Sequence, residues 1–243
     1  MNTYQCIVNE LNSLANKTKA SFAQKFFRTG PGQYAEGDIF LGLTVPQQRL
    51  IAKKYQQCDR SGIIQLLHSS IHEQRLVALY IMVIQFQAGS DEIKKSIVDD
   101  YLANTQYINN WDLVDSSAYL ILGAYLRQGD RRTLIKLAHS SMLWEKRIAV
   151  VATLAFIRAN ELEDTFRICE ILLSDAHDLI HKACGWMLRE AGKKDQVSLV
   201  HFLNQYAAIM PRTMLRYAIE KFSPQDRQHF LQFKTKLAKQ KER

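Results

Sequence analysis

Trp111 and Asp115 are the residues whose types and spacing in this 243-residue sequence are best suited to chemistry. They lie four positions apart, so in a helix both side chains project from one face. An indole ring and a carboxylate each attract positive charge. A protein core accepts the ring but rejects an unpaired carboxylate. The pair therefore either packs with a partner elsewhere in the chain or faces a ligand.

An internal repeat surrounds Trp111. Residues 71–78 read Ile-His-Glu-Gln-Arg-Leu-Val-Ala and resemble residues 143–149, Leu-Trp-Glu-Lys-Arg-Ile-Ala. The arginines of the two segments, Arg75 and Arg147, are 72 positions apart, and Trp111 lies halfway between them. A period near 36 with two helices per repeat predicts stacked helix pairs, closer to HEAT repeats than to tetratricopeptide repeats.

The same period extends towards the C-terminus. One step of 36 beyond Arg147 reaches Ala183, three residues before Trp186. Equivalent positions of stacked repeats lie side by side, so we expect Trp111, Asp115, Arg147 and Trp186 to share one concave surface. Trp186 stands in an apolar stretch, however, and the residues alone leave open that it is a core ring.

Helices are the elements that must position these residues. No proline lies between Pro46 and Pro211, and apolar residues follow helical spacing through that span. Helix starts are predicted after Ser90 and Ser174, and Trp144 is expected in the core. Breaks are predicted around four glycines: Gly62, Gly89, Gly129 and Gly192. The predicted fold is all-α, an α-solenoid of HEAT-like antiparallel helix pairs with a concave basic surface.

Two segments depart from the helical pattern. Thr29–Asp38 contains Gly-Pro-Gly and is predicted to be a loop, long enough to carry function. Residues 232–243 are rich in lysine and are expected to form a basic helix end or a frayed tail. The whole chain, residues 1–243, is predicted to be a single domain.

Composition and charge narrow the class of protein. Hydrophobic residues make up 47% of the chain, which is typical of a globular protein. No apolar run approaches the roughly 20 residues that cross a bilayer, and no secretory signal is recognised, so we expect a protein without a membrane contact. The four cysteines are scattered, which favours a reduced, cytoplasmic location. A net charge of +8 favours a polyanionic partner, although many basic proteins have none.

The sequence resembles the AlkD-like DNA alkylation repair family over nearly its whole length. Three marker segments carry the resemblance, at residues 110–116 (Asn-Trp-Asp-Leu-Val-Asp-Ser), 144–149 and 182–190. Residues 40–46 and 211–217 are similar to flanking motifs of the same family. Membership implies HEAT-like repeats and a monofunctional glycosylase that excises N3- and N7-alkylated purines from double-stranded DNA.

The resemblance also assigns roles to individual residues. It places the catalytic aspartate at Asp115, the two active-site tryptophans at Trp111 and Trp186, and a phosphate-contacting arginine at Arg147. Further basic residues near the marker segments are predicted to contact DNA, each with a solvated or ion-paired side chain as the alternative: Lys182, Arg189, Arg212 and Arg216. No metal-ligand or phosphate-loop motif is present, so we expect neither a metal nor a cofactor.

Two functions remain open from the sequence. The first is an alkylpurine DNA glycosylase, expected to act as a monomer in the cytoplasm, associated with the nucleoid if the source is bacterial. The second is a catalytically inactive helical scaffold that binds nucleic acid or protein. Asp115 distinguishes them, because a carboxylate that faces phosphates weakens binding unless it takes part in the reaction.

Overall fold

Helices form almost all the regular structure of the protein. The computed structural model describes residues 2–232. Within that range the β-type pairing consists of a single parallel bridge between Ile39 and Ile71, so the prediction of an all-α fold is confirmed. The predicted basic tail, residues 232–243, lies outside the described residues except for Gln232, which caps the last helix.

The first of two compact units extends to Tyr125. The helix α5 lies at its centre, and α3, α4, α6 and α7 all pack against it, while α1 packs on α3 and α4. The helices are α1 (Thr3–Ser13), α2 (Lys17–Phe26), α3 (Val45–Lys54), α4 (Arg60–Leu67), α5 (His72–Ala88), α6 (Asp91–Ala103) and α7 (Trp111–Ser117), with a 3-10 turn at Thr105–Tyr107 and a π-helical turn at Tyr119–Gly123.

The second unit begins at Leu126, at the end of the short helix α8 (Ala124–Leu126). Its central helix is α13, which packs against α10, α12, α14 and α15, and α9 packs on α10. The helices are α9 (Arg132–Ala138), α10 (Leu143–Ala152), α11 (Leu154–Arg158), α12 (Glu163–Ile171), α13 (Asp178–Lys194), α14 (Gln196–Tyr206), α15 (Arg212–Ala218) and α16 (Pro224–Leu231), with a 3-10 turn at Leu172–Ser174. The prediction that residues 1–243 fold as a single domain stays a prediction.

Consecutive helices form pairs, as the repeat period predicts. Gly89 and Ser90 are the whole connection between α5 and α6, which nevertheless contact each other, so the chain must reverse there. Asp195 alone separates α13 from α14, which also pack together. The helix-pair arrangement of a solenoid-like fold is therefore present in each unit.

Two of the four predicted breaks are wrong. Gly192 lies inside α13, which continues to Lys194, and Gly62 lies in the first turn of α4. A Cβ atom at Gly192 would stand 2.3 Å from Cδ2 of Leu199 on the next helix. The amide of Gly62 donates to the capping carboxylate of Asp59 at 2.7 Å. These glycines therefore allow close packing and capping rather than end a helix.

The breaks at Gly89 and Gly129 are confirmed, and so is the helix start after Ser90, whose side chain caps α6. The helix predicted after Ser174 begins later, at Asp178. The reason is that Ser174 ends a 3-10 turn, and the following residues are extended before the helix begins. Short polar residues predict a helix start to within a few residues rather than at one position.

Thr29–Asp38 has no helix or strand, which confirms the predicted loop. The chain that follows it is held by Glu73, a buried residue in the first turn of α5. The Glu73 carboxylate accepts hydrogen bonds from the backbone amides of Leu41, Gly42 and Leu43 at 3.0, 2.7 and 3.3 Å. A charge buried with three donors is compensated, so this residue fixes the end of the loop against α5.

The described residues also bear on the predicted surroundings of the protein. Among residues 2–232, none of the helices has the length and apolar character needed to pass through a bilayer. The four cysteines are all free thiols, and Cys58, Cys169 and Cys184 are buried. Burial raises the pKa of the Cys58 thiol to about 11, so this group is protonated and inert at neutral pH.

We predict that Gly185→Ala lowers the free energy of unfolding by about 1–3 kcal/mol, the cost of overpacking. The added methyl group would lie 2.5 Å from Cβ of Tyr217 and 2.6 Å from the backbone oxygen of Met214, so α13 and α15 must separate. Gly192→Ala is the matched control, because its methyl group meets the end of a flexible leucine side chain. Urea unfolding of both variants measures the difference, and a Gly185→Ala protein as stable as the control would contradict this account.

Candidate active site

Trp111 and Asp115 stand one turn apart on α7, and each is half-buried. The start of this helix is fixed by Asn110, a fully buried residue whose side-chain oxygen accepts a hydrogen bond from the Trp111 amide at 2.8 Å. Trp111 is therefore the first residue of the helix, and Asp115 follows on the same face. The spacing predicted from the sequence is present, and both side chains remain partly accessible.

Trp111 packs against an aromatic group from the end of α2. The ring of Phe27 is stacked on the indole with centroids 5.2 Å apart, and Phe26 meets it edge-on at 5.9 Å. Phe27 is also stacked on Phe40, at 5.1 Å. One face of the Trp111 ring is therefore covered, so a ligand can reach it only from the opposite face or the free edge.

A buried cluster of charged residues lies behind this helix. His72, the first residue of α5, places Nε2 at 2.8 Å from a carboxylate oxygen of Asp112, the neighbour of Trp111. Its Nδ1 lies 3.4 Å from Asp38, at the end of the long loop, and Arg75 reaches Asp38 at 2.7 Å. His72, Arg75 and Asp38 are each less than 10% exposed. The cluster thus joins the loop, α5 and α7.

The charge of His72 follows from this arrangement. Burial alone would lower its pKa, but the carboxylates of Asp112 and Asp38 outweigh burial and raise the pKa to about 9. The pKa of Asp38 is lowered, since hydrogen bonding to His72 and the charge of Arg75 outweigh its own desolvation. With His72 protonated, two positive charges balance two negative ones, which is the condition for burying ions at acceptable cost.

The charge of Asp115 acts on a second buried group, formed by Tyr101 and Ser117. The Tyr101 hydroxyl and the Ser117 hydroxyl are 3.0 Å apart, and the Ser117 hydroxyl donates to the backbone oxygen of Leu113 at 2.6 Å. Burial raises the pKa of Tyr101, and the negative charge of Asp115 raises it further. Tyr101 is therefore neutral at physiological pH.

Arg147 lies on α10 in the second unit and is buried, with an exposed fraction of 5%. Its Nη1 donates to the backbone oxygen of Leu179, at the start of α13, at 2.6 Å. Trp144 on the same helix is buried, as predicted. Arg147 therefore connects two helices of its unit, a role that the sequence did not indicate, and its predicted contact with phosphate stays a prediction.

Trp186 lies on α13 and is half-buried, so it is not an enclosed core ring. The residue before it, Gly185, brings α13 close to Met214 and Tyr217 of α15. This close approach packs α13 tightly against α15 at the residue next to the tryptophan. The prediction that Trp186 and Arg147 share a surface with the residues of α7 concerns both units and stays a prediction.

The other predicted DNA-binding residues differ in how far their charge is already compensated. Lys182 pairs with Asp178 at 2.7 Å, and Arg189 forms ion pairs with Glu190 and Glu220. Arg212 donates to the backbone oxygen of Leu231 at 2.8 Å. Arg216 is exposed, and no ion pair involves it among the residues that the structure describes. Arg216 is therefore the member of this set that is most available to a phosphate.

Asp38, His72, Asp112 and Phe27 also belong to the site, although the sequence does not mark them as such. The one local signal is that a histidine beside Glu73 at a helix start departs from a purely apolar repeat. Its partners lie 34 and 40 positions away in the chain, so no local spacing marks them. Among the described residues, no group of three or more His, Cys, Asp or Glu side chains is arranged to hold a metal ion.

The fold and these side chains define a class of protein, an all-α helix-pair protein that carries an aromatic ring and a carboxylate on one helix face. A solved structure described as a predicted DNA alkylation repair enzyme from Enterococcus faecalis has this fold. It superimposes with a TM-score of 0.67 at 15% sequence identity, over 86% of this chain and 97% of that chain. No curated protein matches the sequence.

The family is shown by the sequence itself. Residues 7–222 match the model of the DNA alkylation repair enzyme family, and the chain belongs to that family. The resemblance identified from the marker segments is thereby confirmed. Membership supports a role in the repair of alkylated DNA.

We predict that the charge on His72 makes the protein less stable at high pH. The folded-state pKa of about 9 lies above the unfolded value of about 6.5, so the contribution is complete below pH 6.5 and is lost as the pH rises through 9. The loss in unfolding free energy should be on the order of 3 kcal/mol.

Urea unfolding between about pH 6 and pH 10 measures this dependence. His72→Gln, which cannot titrate, should be less stable at neutral pH. Its unfolding free energy should not fall between those two pKa values. His68→Gln is the matched control, because His68 is an exposed histidine of the same unit. A His72→Gln protein with the unchanged pH dependence would show that the titration belongs to another group.

Proposed function

We propose that the protein is a monofunctional DNA glycosylase that excises N3- and N7-alkylated purines from double-stranded DNA. The observation that carries the proposal is the half-buried carboxylate of Asp115, one turn from Trp111 on α7. A carboxylate there would weaken DNA binding, since DNA is a polyanion, unless its charge serves the reaction. Membership of a DNA alkylation repair family gives the reaction a substrate class.

The reaction needs little from the enzyme at the base. Alkylation at N3 or N7 makes the purine cationic, so the base departs as a neutral molecule with the electron pair of the N-glycosidic bond. Positive charge then develops on the deoxyribose, as it does on the sugar in glycoside hydrolysis. Water adds to the C1′ atom and loses a proton, which leaves an abasic site. No acid is required to protonate the leaving base.

Asp115 is proposed to stabilise the positive charge on the sugar and to orient the attacking water. The uncovered side of the Trp111 indole would attract the same positive charge, and the family resemblance implies the same role for Trp186. Such cation–π contacts contribute about 0.5–2 kcal/mol each, depending on desolvation. The His72–Asp112 contact fixes the first turn of α7 and so limits how far Asp115 can move.

The basic residues are proposed to bind the phosphates on either side of the lesion. Arg216, exposed and without an ion pair among the described residues, is the most direct candidate. Lys182, Arg189 and Arg212 would first exchange an existing partner for a phosphate. Binding through phosphates predicts strong salt dependence and weak dependence on sequence.

Asp115→Asn tests the mechanism, because it keeps the size of the side chain and removes its charge. We predict that the single-turnover rate of 7-methylguanine release falls by about 10²–10³, the scale of losing one well-placed electrostatic stabiliser. Binding to undamaged duplex DNA should hold or tighten, since a charge that phosphates repel is gone. Abasic-site formation in methylated duplex DNA measures the rate.

Asp99→Asn is the matched control, because Asp99 is an exposed carboxylate on α6 of the same unit. It should release 7-methylguanine at the wild-type rate. Equal rates for Asp115→Asn and wild type would overturn the mechanism. A wild-type protein that binds duplex DNA but releases no alkylated purine would favour the alternative, a catalytically inactive scaffold.

Arg147→Ala tests the proposed phosphate contact. We predict weaker binding to duplex DNA of every sequence and a salt dependence reduced by about one phosphate. Because Arg147 also donates to Leu179, thermal unfolding must be measured beside binding. Arg132→Ala removes an exposed arginine of the same unit and is the matched control. Unchanged affinity and salt dependence in a folded Arg147→Ala protein would assign the residue a structural role alone.

A further inference from the structure

The helix α2 presents two phenylalanine rings to solvent. None of its ten residues, all of which the structure describes, is buried. Phe22 is 70% exposed and Phe26 is 55% exposed, and their rings are stacked with centroids 6.1 Å apart. Single exposed apolar residues are common on protein surfaces, but two stacked rings on one helix face form an apolar patch typical of an interaction site.

These rings extend the ring of Trp111 outwards. Phe26 meets Trp111 edge-on at 5.9 Å, and Phe22 lies one turn before Phe26 on α2. Phe22, Phe26 and Trp111 together are named the aromatic ledge. The ledge begins at Trp111, one turn from Asp115 on α7, and ends in solvent at Phe22.

The helix that carries the ledge is rigidly attached. Its cap, Asn16, donates its backbone amide to the oxygen of Leu41 at 2.8 Å. A Cβ atom at Gly42 would lie 2.5 Å from the amide nitrogen of Ala20, so the two segments touch. At the other end Phe27 is stacked on Phe40 and on the Trp111 ring. With both ends held, Phe22 and Phe26 cannot turn into the unit to hide their rings.

The charged residues on α2 and on the chain next to it are all cations. Residues 11–35 contain no Asp or Glu but four cations: Lys17, Lys19, Lys25 and Arg28. None of the four takes part in an ion pair with any residue between 2 and 232, the part described by the structure. Lys19 and Lys25 stand three residues before and after Phe22, which places both on the face of the rings. The surface therefore combines aromatic faces with uncompensated positive charge.

We propose that the aromatic ledge of α2 binds a DNA strand that has an unpaired base, with Phe22 and Phe26 stacked on base faces and Lys19 and Lys25 on the flanking phosphates. Base faces stack on aromatic side chains in a way that tolerates any sequence, and cations beside them bind the backbone. An acidic protein or an anionic membrane would use the charge, but neither requires stacked rings. The proposal rests on the proposed function for the identity of the nucleic acid as DNA.

Binding of undamaged single-stranded DNA to the full-length protein tests the proposal. Phe22→Leu keeps an apolar side chain but removes the ring, and it should lower affinity for the single strand by about tenfold, the scale of one lost base stack. Phe22→Tyr keeps the ring and should retain wild-type affinity. A perfectly paired duplex should bind both variants alike, because its bases are already stacked on each other.

Two control variants and one further variant accompany this test. Leu50→Ala removes an exposed apolar side chain of the same unit, and Lys53→Gln removes an exposed cation; neither should affect single-strand binding. Lys25→Gln should lower affinity and reduce the salt slope by about 0.7. Equal affinity of wild type and Phe22→Leu for the single strand would overturn the proposal, and so would Phe22-dependent binding to phosphatidylglycerol vesicles without binding to DNA.

The outcome is separable from that of the glycosylase test. Binding to undamaged DNA requires no excision, so a protein that lacks glycosylase activity but loses single-strand binding in Phe22→Leu would support the ledge and overturn the proposed enzyme. A protein that excises 7-methylguanine and binds single strands independently of Phe22 would support the proposed enzyme and overturn the proposed role of the ledge.

Discussion

The buried ionic contact between His72 and Asp112 is the constraint on which the first unit depends. A protonated histidine inside a protein is tolerable only when negative charges surround it, and here Asp38 and Asp112 do so from two different elements. The loop end, the start of α5 and the start of α7 must therefore meet at one point. If any of them moved, an uncompensated charge would remain buried, which costs several kcal/mol.

This constraint gives the long loop a physical role. Residues 29–38 have no regular structure, yet their last residue, Asp38, is buried against His72 and Arg75. The following amides are fixed by Glu73, one residue beyond the histidine. Three residues in the first turn of α5, His72, Glu73 and Arg75, thus hold the loop by charge rather than by apolar packing. The aromatic stack through Phe27 then connects the same region to Trp111.

The sequence predicted what depends on local pattern and repeat period. It predicted the all-α fold, the helix face shared by Trp111 and Asp115 and the core position of Trp144, and it left open whether Trp186 is a core ring. It did not predict that Arg75 and Arg147, the two arginines that revealed the period, are both buried, because periodicity gives equivalence between positions and not their environment. It placed a helix end at Gly192, because a glycine that permits close packing looks the same in sequence as one that ends a helix.

The hydrogen bond from Arg147 to the Leu179 carbonyl gives that arginine a structural contact in addition to its proposed contact with phosphate. The five donors of a guanidinium are set in a rigid fork, so a phosphate that takes the Nη1 proton removes it from α13. Trp186 lies two turns beyond Leu179 on that helix. Capture of a phosphate and the placement of the tryptophan would then be linked equilibria, each shifting the other by the same factor. If Arg147 binds a phosphate, its contact with Leu179 would thus link that binding to the position of the Trp186 ring.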